Sequence, residues 1–463
     1  MITAVALALR LAWGALRGSE RFFAEGYTLF FTLAGQLAAG AGYAFPGQPP
    51  TAFRVPLYPL FLAALTGGEP SYAPVLVAQA LVSSGTVVLA GLLARHWFGA
   101  RAGLIAAAIC AIYPYYVLHD VTLQETGLFT FLAALATWLA LTARRRGSIA
   151  LAALAGLALG AAILTRATLA PFAVLAIAWL ALPACGWRPT RRAAVMSLTS
   201  LAATLLVLTP WLTRAHDLTG RWTLGTEFGA AVFAGNHPLT FSHFPRESID
   251  LSRAAVFASL TPADRTEIAR RDEAAQSDWY LGRGVEWVAR HPVAALGGSM
   301  RKLAAAFGPL PVPRKGLLGD SVHALSFFPM LLLALAMLWQ RRRRWRADAL
   351  VHAHLALFAA TTAVLWAQTS HRSYLDAYLI VFAAGMLDRV WRRIAAAPGA
   401  SAVAHNARAE AADLSQRLPA AARSAAKGSC LKIDRLRYPS PAPILNNRRM
   451  SHTFRQVCRV HTI

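Results

Sequence analysis

The chain reads as an all-α, polytopic membrane protein, and three observations lead there. Apolar runs rich in Ala, Leu, Val, Phe and Trp recur at 72–94, 102–118, 121–142, 148–164, 167–183, 193–213, 321–340, 349–368 and 373–388. Each is about long enough to cross a bilayer core as a helix. Hydrophobic residues make up 56% of the 463 positions, more apolar surface than a soluble domain can hide. Arg then marks every second connection: Arg95 and Arg101; Arg144, Arg145 and Arg146; Arg188, Arg191 and Arg192; Arg341 to Arg344 with Arg346; and Arg389, Arg392 and Arg393. That alternation places those connections in the cytoplasm.

The first run, 2–16, contains Arg10 and lacks both a charged start and a small-residue cleavage site. It reads as a first span rather than a cleaved leader. Parity then puts both termini in the cytoplasm and gives about ten spans. Two long segments face outward, roughly 18–71 and 215–318, and chemistry is expected there.

The first outer segment carries Tyr27, Phe30, Phe31, Ala34 and Leu37 at helical spacing. This predicts an amphipathic helix along the membrane surface, stopped at Gly40-Ala41-Gly42. Pro46, Pro49, Pro50, Pro56 and Pro59 follow and are expected to hold the backbone extended. The apolar piece 57–66 is too short to span.

The second outer segment opens with Trp222, Phe228, Phe233, Asn236 and His237. Thr261-Pro262 starts a predicted helix, with Thr as cap and Pro in the first turn. That helix is expected to run on through Glu267, Arg270, Arg271, Asp272, Trp279 and Tyr280, with Gly282 and Gly284 as its interruption. Arg290-His291-Pro292 closes it, and a further helix carries Arg301 and Lys302. The segment is therefore expected to form a small outer-face cap. Residues 394–463 turn Ala- and Arg-rich, then Ser-, Pro- and Asn-rich, and read as a disordered, basic cytoplasmic tail.

The formal charge of +24 would point to nucleic acid in a soluble protein, but here much of it is orientation signal, so no nucleic-acid partner is expected. Cys110, Cys185, Cys430 and Cys458 have neither metal-ligand nor disulfide-framework spacing. No GxxxxGK[ST] loop, Asp-x-Asp pair or HExxH pair is present, which disfavours ATP-driven steps, a nucleotide donor and a zinc hydrolase.

Ionisable groups at outer span ends are the candidates for chemistry, because charge is costly there. They are Glu25, with Glu20 nearby; His119-Asp120 with Glu125; Arg166; His371-Arg372; and Arg54 in the Pro-rich stretch. A carboxylate can act as general base. Arg can hold a departing phosphate in bidentate geometry.

Several segments carry a family resemblance: "EGYTLFFTLAGQLAAGAGY" with "PTAFRVPLYPLFLAAL", "YPYYVLHDVTLQET", "GAAILTRATLAPFAVL", "FGAAVFAGNHP" and "ARRDEAAQSDWYLGRGVEWVARHPVAAL" followed by Lys302. In order, spacing and topology they resemble the GT-C superfamily of membrane glycosyltransferases over residues 1–393. The likeness is greatest to the bacterial branch related to dolichyl-phosphate-mannose protein mannosyltransferases and aminoarabinose transferases.

The resemblance implies a GT-C domain over 1–393 in a bacterial cytoplasmic (inner) membrane, and a sugar donor linked to a polyprenyl phosphate. It implies an acceptor hydroxyl on a glycolipid, glycan or protein at the outer face, with inversion at the anomeric carbon. It implies Glu25 as base, where the family has Asp, with Glu20 as competitor. The second acidic site maps to Glu125 or Asp120. Arg54, Tyr58, Arg166, Lys302, His371 and Arg372 are the implied substrate and phosphate contacts. A divalent metal is compatible with this chemistry and nothing in the sequence demands one. The competing class is a transporter or flippase of lipid-linked sugars, which predicts ionisable groups near mid-membrane and broken helices in related halves.

Overall fold

A computed structural model describes residues 1–182 and 190–396. Cys185, Arg188, Cys430, Cys458 and the expected tail from 397 onward lie outside the described residues, while 394 and 395 end the last helix. Contacts divide the chain into Met1–Trp391 and Arg392–Ile463. Among the described residues of the second unit, the Ala396 N–H donates to the Arg392 carbonyl at 3.1 Å.

Among the described residues the regular structure is helical, apart from one isolated bridge between Ala44 and Pro50. Helix α1 is Ile2–Ala24, bent at Gly18, whose φ of 77° only glycine adopts without strain. Then come α2 (Leu29–Ala38) and α3 (Leu57–Thr66) in the first outer segment. Both form where the apolar pattern predicts them. Both stop at left-handed glycines, Gly40 and Gly67, and Phe30, Phe31, Ala34, Tyr58 and Leu62 bury against Phe22, Val75 and Leu123. Pro59 does not keep the chain extended. It lies in the first turn of α3, where its missing N–H is no loss.

The membrane-side helices follow: α4 (Tyr72–Phe98), α5 (Ala100–Ile112), α6 (Pro114–His119), α7 (Thr126–Arg146), α8 (Ile149–Thr165), α9 (Ala170–Ala181) and α10 (Arg191–Thr219). The run expected at 102–118 is broken, because Tyr113 takes the extended backbone that a following proline imposes. Helices α7 and α8 are joined by the left-handed Gly147 and lie antiparallel, as a turn this short requires.

The segment expected to form the cap comprises α11 (Glu227–Gly235), α12 (Ile249–Ala258), α13 (Pro262–Ala269), α14 (Glu273–Arg290) and α15 (Pro292–Phe307). Thr261 caps α13 as expected, accepting from the Asp264 N–H at 3.1 Å. The expected continuous helix is wrong in one respect: the break falls at Arg270–Asp272, where Asp272 accepts from the Ala275 N–H at 2.8 Å and starts α14. Helix α14 then runs through Gly282 and Gly284 without interruption. Gly284 is there for contact, since a Cβ would stand 3.1 Å from the Phe233 backbone of α11.

The chain closes with α16 (Gly316–Gln340), α17 (Ala349–Val364) and α18 (Thr369–Ala395). By length and apolar composition, α4, α7, α10 and α16 are able to cross a membrane. The other expected spans map to α1, to the shorter α5, α8, α9 and α17, and to α18, which carries Arg372 and Asp376.

Candidate functional site at the outer helix ends

The antiparallel α7–α8 hairpin brings the start of α7 beside the end of α8, so Glu125 and Arg166 must meet. Arg166 donates to Glu125 Oε1 through Nη2 at 2.6 Å and Nε at 3.2 Å, and to Thr126 Oγ1 at 3.3 Å. Its guanidinium sits over the Phe129 ring, 4.9 Å from the centroid. Its Nη1 is buried with no hydrogen-bond partner. Burial raises the Glu125 carboxyl, but the Arg166 charge and hydrogen bond, with Arg54, outweigh that and hold its pKa below the usual Glu range.

Arg54 reaches into the cap. It grips Glu227, at the start of α11, in bidentate fashion with two 2.7 Å bonds. Arg253 of α12 donates to the same carboxylate at 2.9 Å. Glu227 is also held below its usual range: burial raises it, and the two arginines overcome that. The Tyr27 N–H donates to the Leu123 carbonyl at 3.0 Å, and its hydroxyl points to Asp250 Oδ2 at 3.4 Å. The charges of Arg166, Glu125, Arg54 and Asp250 all act on His371 at the start of α18. Glu125, Arg166, Arg54, Glu227, Tyr27 and His371 thus form one neighbourhood, drawn from the first outer segment, the α6–α7 loop, the end of α8, the cap and α18.

Other sequence candidates are placed differently. Glu25 is exposed and ion-paired to Arg17, and does not reach Arg166; Glu20 is exposed. Asp120 is buried in a knot between helices, accepting from Ser83 and standing 4.0 Å from Arg10. That geometry suits holding helices together, not touching an acceptor. Tyr58 is buried, with its hydroxyl on Gln79 Oε1 at 3.2 Å. Lys302 is buried and turned to Asn236 Oδ1 at 3.3 Å and to the Ala363 and Val364 carbonyls at 3.1 and 3.2 Å. Arg372 is buried, donating to Asp376 at 3.2 Å and to the Ala306 carbonyl at 2.8 Å. Tyr58, Lys302 and Arg372 therefore spend their polar ends on other groups of this chain. The pairs Arg10–Asp120 and Arg372–Asp376 also set buried ionisable groups against one another between and along helices.

Sequence reasoning missed Glu227, Arg253, Asp250 and Gln79. The signal for Glu227 was an acid at the start of a helix, overshadowed by its aromatic neighbours. The Gly235-Asn236-His237-Pro238 element proves to be a fastener: Asn236 Nδ2 donates to the Val232 and Val364 carbonyls, both at 2.8 Å. Among the described residues no group of three His, Cys, Asp or Glu side chains is placed to hold a metal. The carboxylates of the neighbourhood already face arginines, so this donor set does not fit a divalent ion.

Residues 54–213 match the family model described as dolichyl-phosphate-mannose-protein mannosyltransferase. Among solved structures, the apo crystal structure of the Archaeoglobus fulgidus oligosaccharyltransferase matches with TM-score 0.50 and 16% identity, over 85% of this chain and 50% of that one. The chain shares the fold of that structure. The same archaeon's oligosaccharyltransferase AglB, in complex with an inhibitory peptide and a dolichol-phosphate, matches at TM-score 0.49 and 14% identity, with 85% and 50% covered. ArnT from Cupriavidus metallidurans, bound to undecaprenyl phosphate, matches at TM-score 0.37 and 14% identity, with 84% and 77% covered. The chain spans about half the length of the oligosaccharyltransferases it matches. No curated protein sequence matches it. The family match covers Arg54, Glu125 and Arg166, three members of the neighbourhood.

Proposed function

We propose that this chain is an inverting glycosyltransferase that moves a sugar from a polyprenyl-phosphate carrier to an acceptor hydroxyl. The reaction takes place at the outer face of a bacterial cytoplasmic membrane, with both termini inside. The observation that carries this is the Glu125–Arg166 pair with its unpartnered Nη1, beside Arg54 and His371. Such a cluster suits an anion with several oxygens. The GT-C fold, the match to a dolichyl-phosphate-mannose-dependent family and the lipid phosphates named in the related structures support the same reading.

In this reaction the acceptor oxygen attacks the anomeric carbon while the bond from that carbon to the phosphate oxygen breaks. The polyprenyl phosphate leaves with the bonding electrons, and Arg166 and Arg54 stabilise its charge. The acceptor proton passes to a carboxylate. The family resemblance assigns that role to Glu25, which is exposed, bonded to Arg17 and two residues from Tyr27 of the neighbourhood, with Glu125 as its competitor. The isoprenoid chain lies in the bilayer beside the helices. A glycolipid, glycan or protein approaches under the cap.

The test is sugar transfer in membranes from a panel of undecaprenyl-phosphate-linked sugars, using Glu25→Gln, Glu20→Gln and Glu125→Gln. Loss of transfer in Glu25→Gln with Glu20→Gln active supports the assignment. Full transfer in all three removes the acid–base chemistry.

A further inference from the structure

We infer that Gln79 of α4 is the positioning residue for Glu125. The inference rests on reading the Glu125–Arg166 pair as the phosphate-facing element. The loop 120–125 between α6 and α7 is irregular, so its buried backbone groups need partners from elsewhere. Two of them share one: Gln79 Nε2 donates to the Asp120 carbonyl at 2.8 Å and to the Thr122 carbonyl at 2.6 Å. On the other side of the amide, Gln79 Oε1 accepts from the Tyr58 hydroxyl at 3.2 Å. Gln79 is 3% exposed and Tyr58 1%.

Every polar hydrogen and the oxygen of this amide are therefore engaged, and its orientation is fixed. Turned over, it would aim an oxygen at two carbonyl oxygens. Tyr58 is itself locked, edge-to-face against Phe30 with centroids 4.9 Å apart. The Tyr27 N–H holds the Leu123 carbonyl from the other side. The loop hangs from α4 at two points, and the Glu125 carboxylate begins three residues beyond the second. A shift of about 1 Å in such a group is enough to cost a large part of a reaction rate. Gln79 acts through the backbone and needs no contact with substrate.

The experiment uses the full-length protein in lipid nanodiscs, with hydrogen exchange of the 119–126 segment, thermal unfolding and titration with undecaprenyl phosphate as readouts. Gln79→Met keeps the volume and removes the donors. Gln79→Glu keeps the shape and replaces the donors with oxygen. Tyr58→Phe removes only the orienting bond and serves if the buried Gln79 variants fail to fold. Gln79→Met is expected to speed exchange at 119–126 and to weaken undecaprenyl phosphate binding by about tenfold each, the loss of one net hydrogen bond. Exchange inside α7 and α8 stays as in the wild type. Gln79→Glu is expected to do more, and Tyr58→Phe less, in the same direction.

Exchange at 119–126 within twofold of wild type in every folded variant overturns the inference. Arg166→Gln separates the two readings. If it weakens undecaprenyl phosphate binding while Gln79→Met and Tyr58→Phe change nothing, only the positioning role fails. If it leaves binding unchanged while Gln79→Met still loosens 119–126, the phosphate reading fails and Gln79 still positions the loop.

Discussion

Arg166 joins a carboxylate on one edge of its guanidinium to an unpartnered nitrogen on another, and this makes it the most informative side chain in the molecule. In the proposed reaction that buried nitrogen is the donor left to a phosphate oxygen while the pair with Glu125 stays intact. Arg166→Gln is therefore expected to lower the turnover of sugar transfer by about 10²–10³-fold, the usual effect of removing one donor to developing charge. Arg166→Lys should restore little of it, because a point charge cannot serve Glu125 and a phosphate in one plane. Steady-state rates in membranes check both, and wild-type turnover in Arg166→Gln would remove it from the chemistry. Arg372 offers the contrast. Its charge is matched by Asp376 four residues on, so Arg372→Met is expected to lower thermal stability rather than to alter the affinity for undecaprenyl phosphate. A selective loss of affinity at unchanged melting temperature would reverse that assignment.

At the scale of elements, the cap is fastened to the first outer segment through Glu227, which takes one arginine from each side. Both Glu227 and Glu125 have carboxyls held below their usual range. Unfolded chains bind those protons at a higher pH than the folded protein does. The stabilisation is thus complete above the ordinary Glu value of 4.5 and is lost as pH falls through the lower folded values. Melting curves from pH 6 down to pH 3 should fall, and Glu227→Gln should flatten part of that fall while costing about 1–3 kcal/mol at neutral pH. An unchanged acid slope in the variant would separate Glu227 from the cap's attachment.

That Glu125 and Arg166 share one end of the helices was legible in the sequence, since both lie on the alternate set of connections in the Arg pattern. The Arg54–Glu227–Arg253 link was not. It joins residues from three distant segments through an irregular loop, and neither periodicity nor spacing encodes that kind of closure. The intrachain partners of Lys302 and Arg372 were not legible for a related reason. A cation at a helix end looks the same in sequence whether it faces water, lipid phosphate or a neighbouring carbonyl.

At the scale of the whole molecule, the apolar runs and the Arg alternation specified an all-α membrane architecture, and the helices fall close to the runs that predicted them. The breaks were harder. Tyr113-Pro114 splits one expected span, and Asp272 divides one expected cap helix, because local capping chemistry competes with an otherwise continuous pattern. The sided labelling of single cysteines at positions 230 and 280 should find both exposed outside, whereas labelling only from the cytoplasm would invert the topology.

The central claim is that a sugar leaves its isoprenoid phosphate at this cluster. Its most direct measurement is mass spectrometry of lipid-linked sugars and envelope glycans in cells that make either the wild-type chain or a Glu25→Gln, Arg166→Gln double variant. The account predicts that one polyprenyl-phosphate-linked sugar accumulates in the variant and that the same sugar disappears from one envelope acceptor. Unchanged pools of both, with the variant present in the membrane at wild-type level, would contradict it.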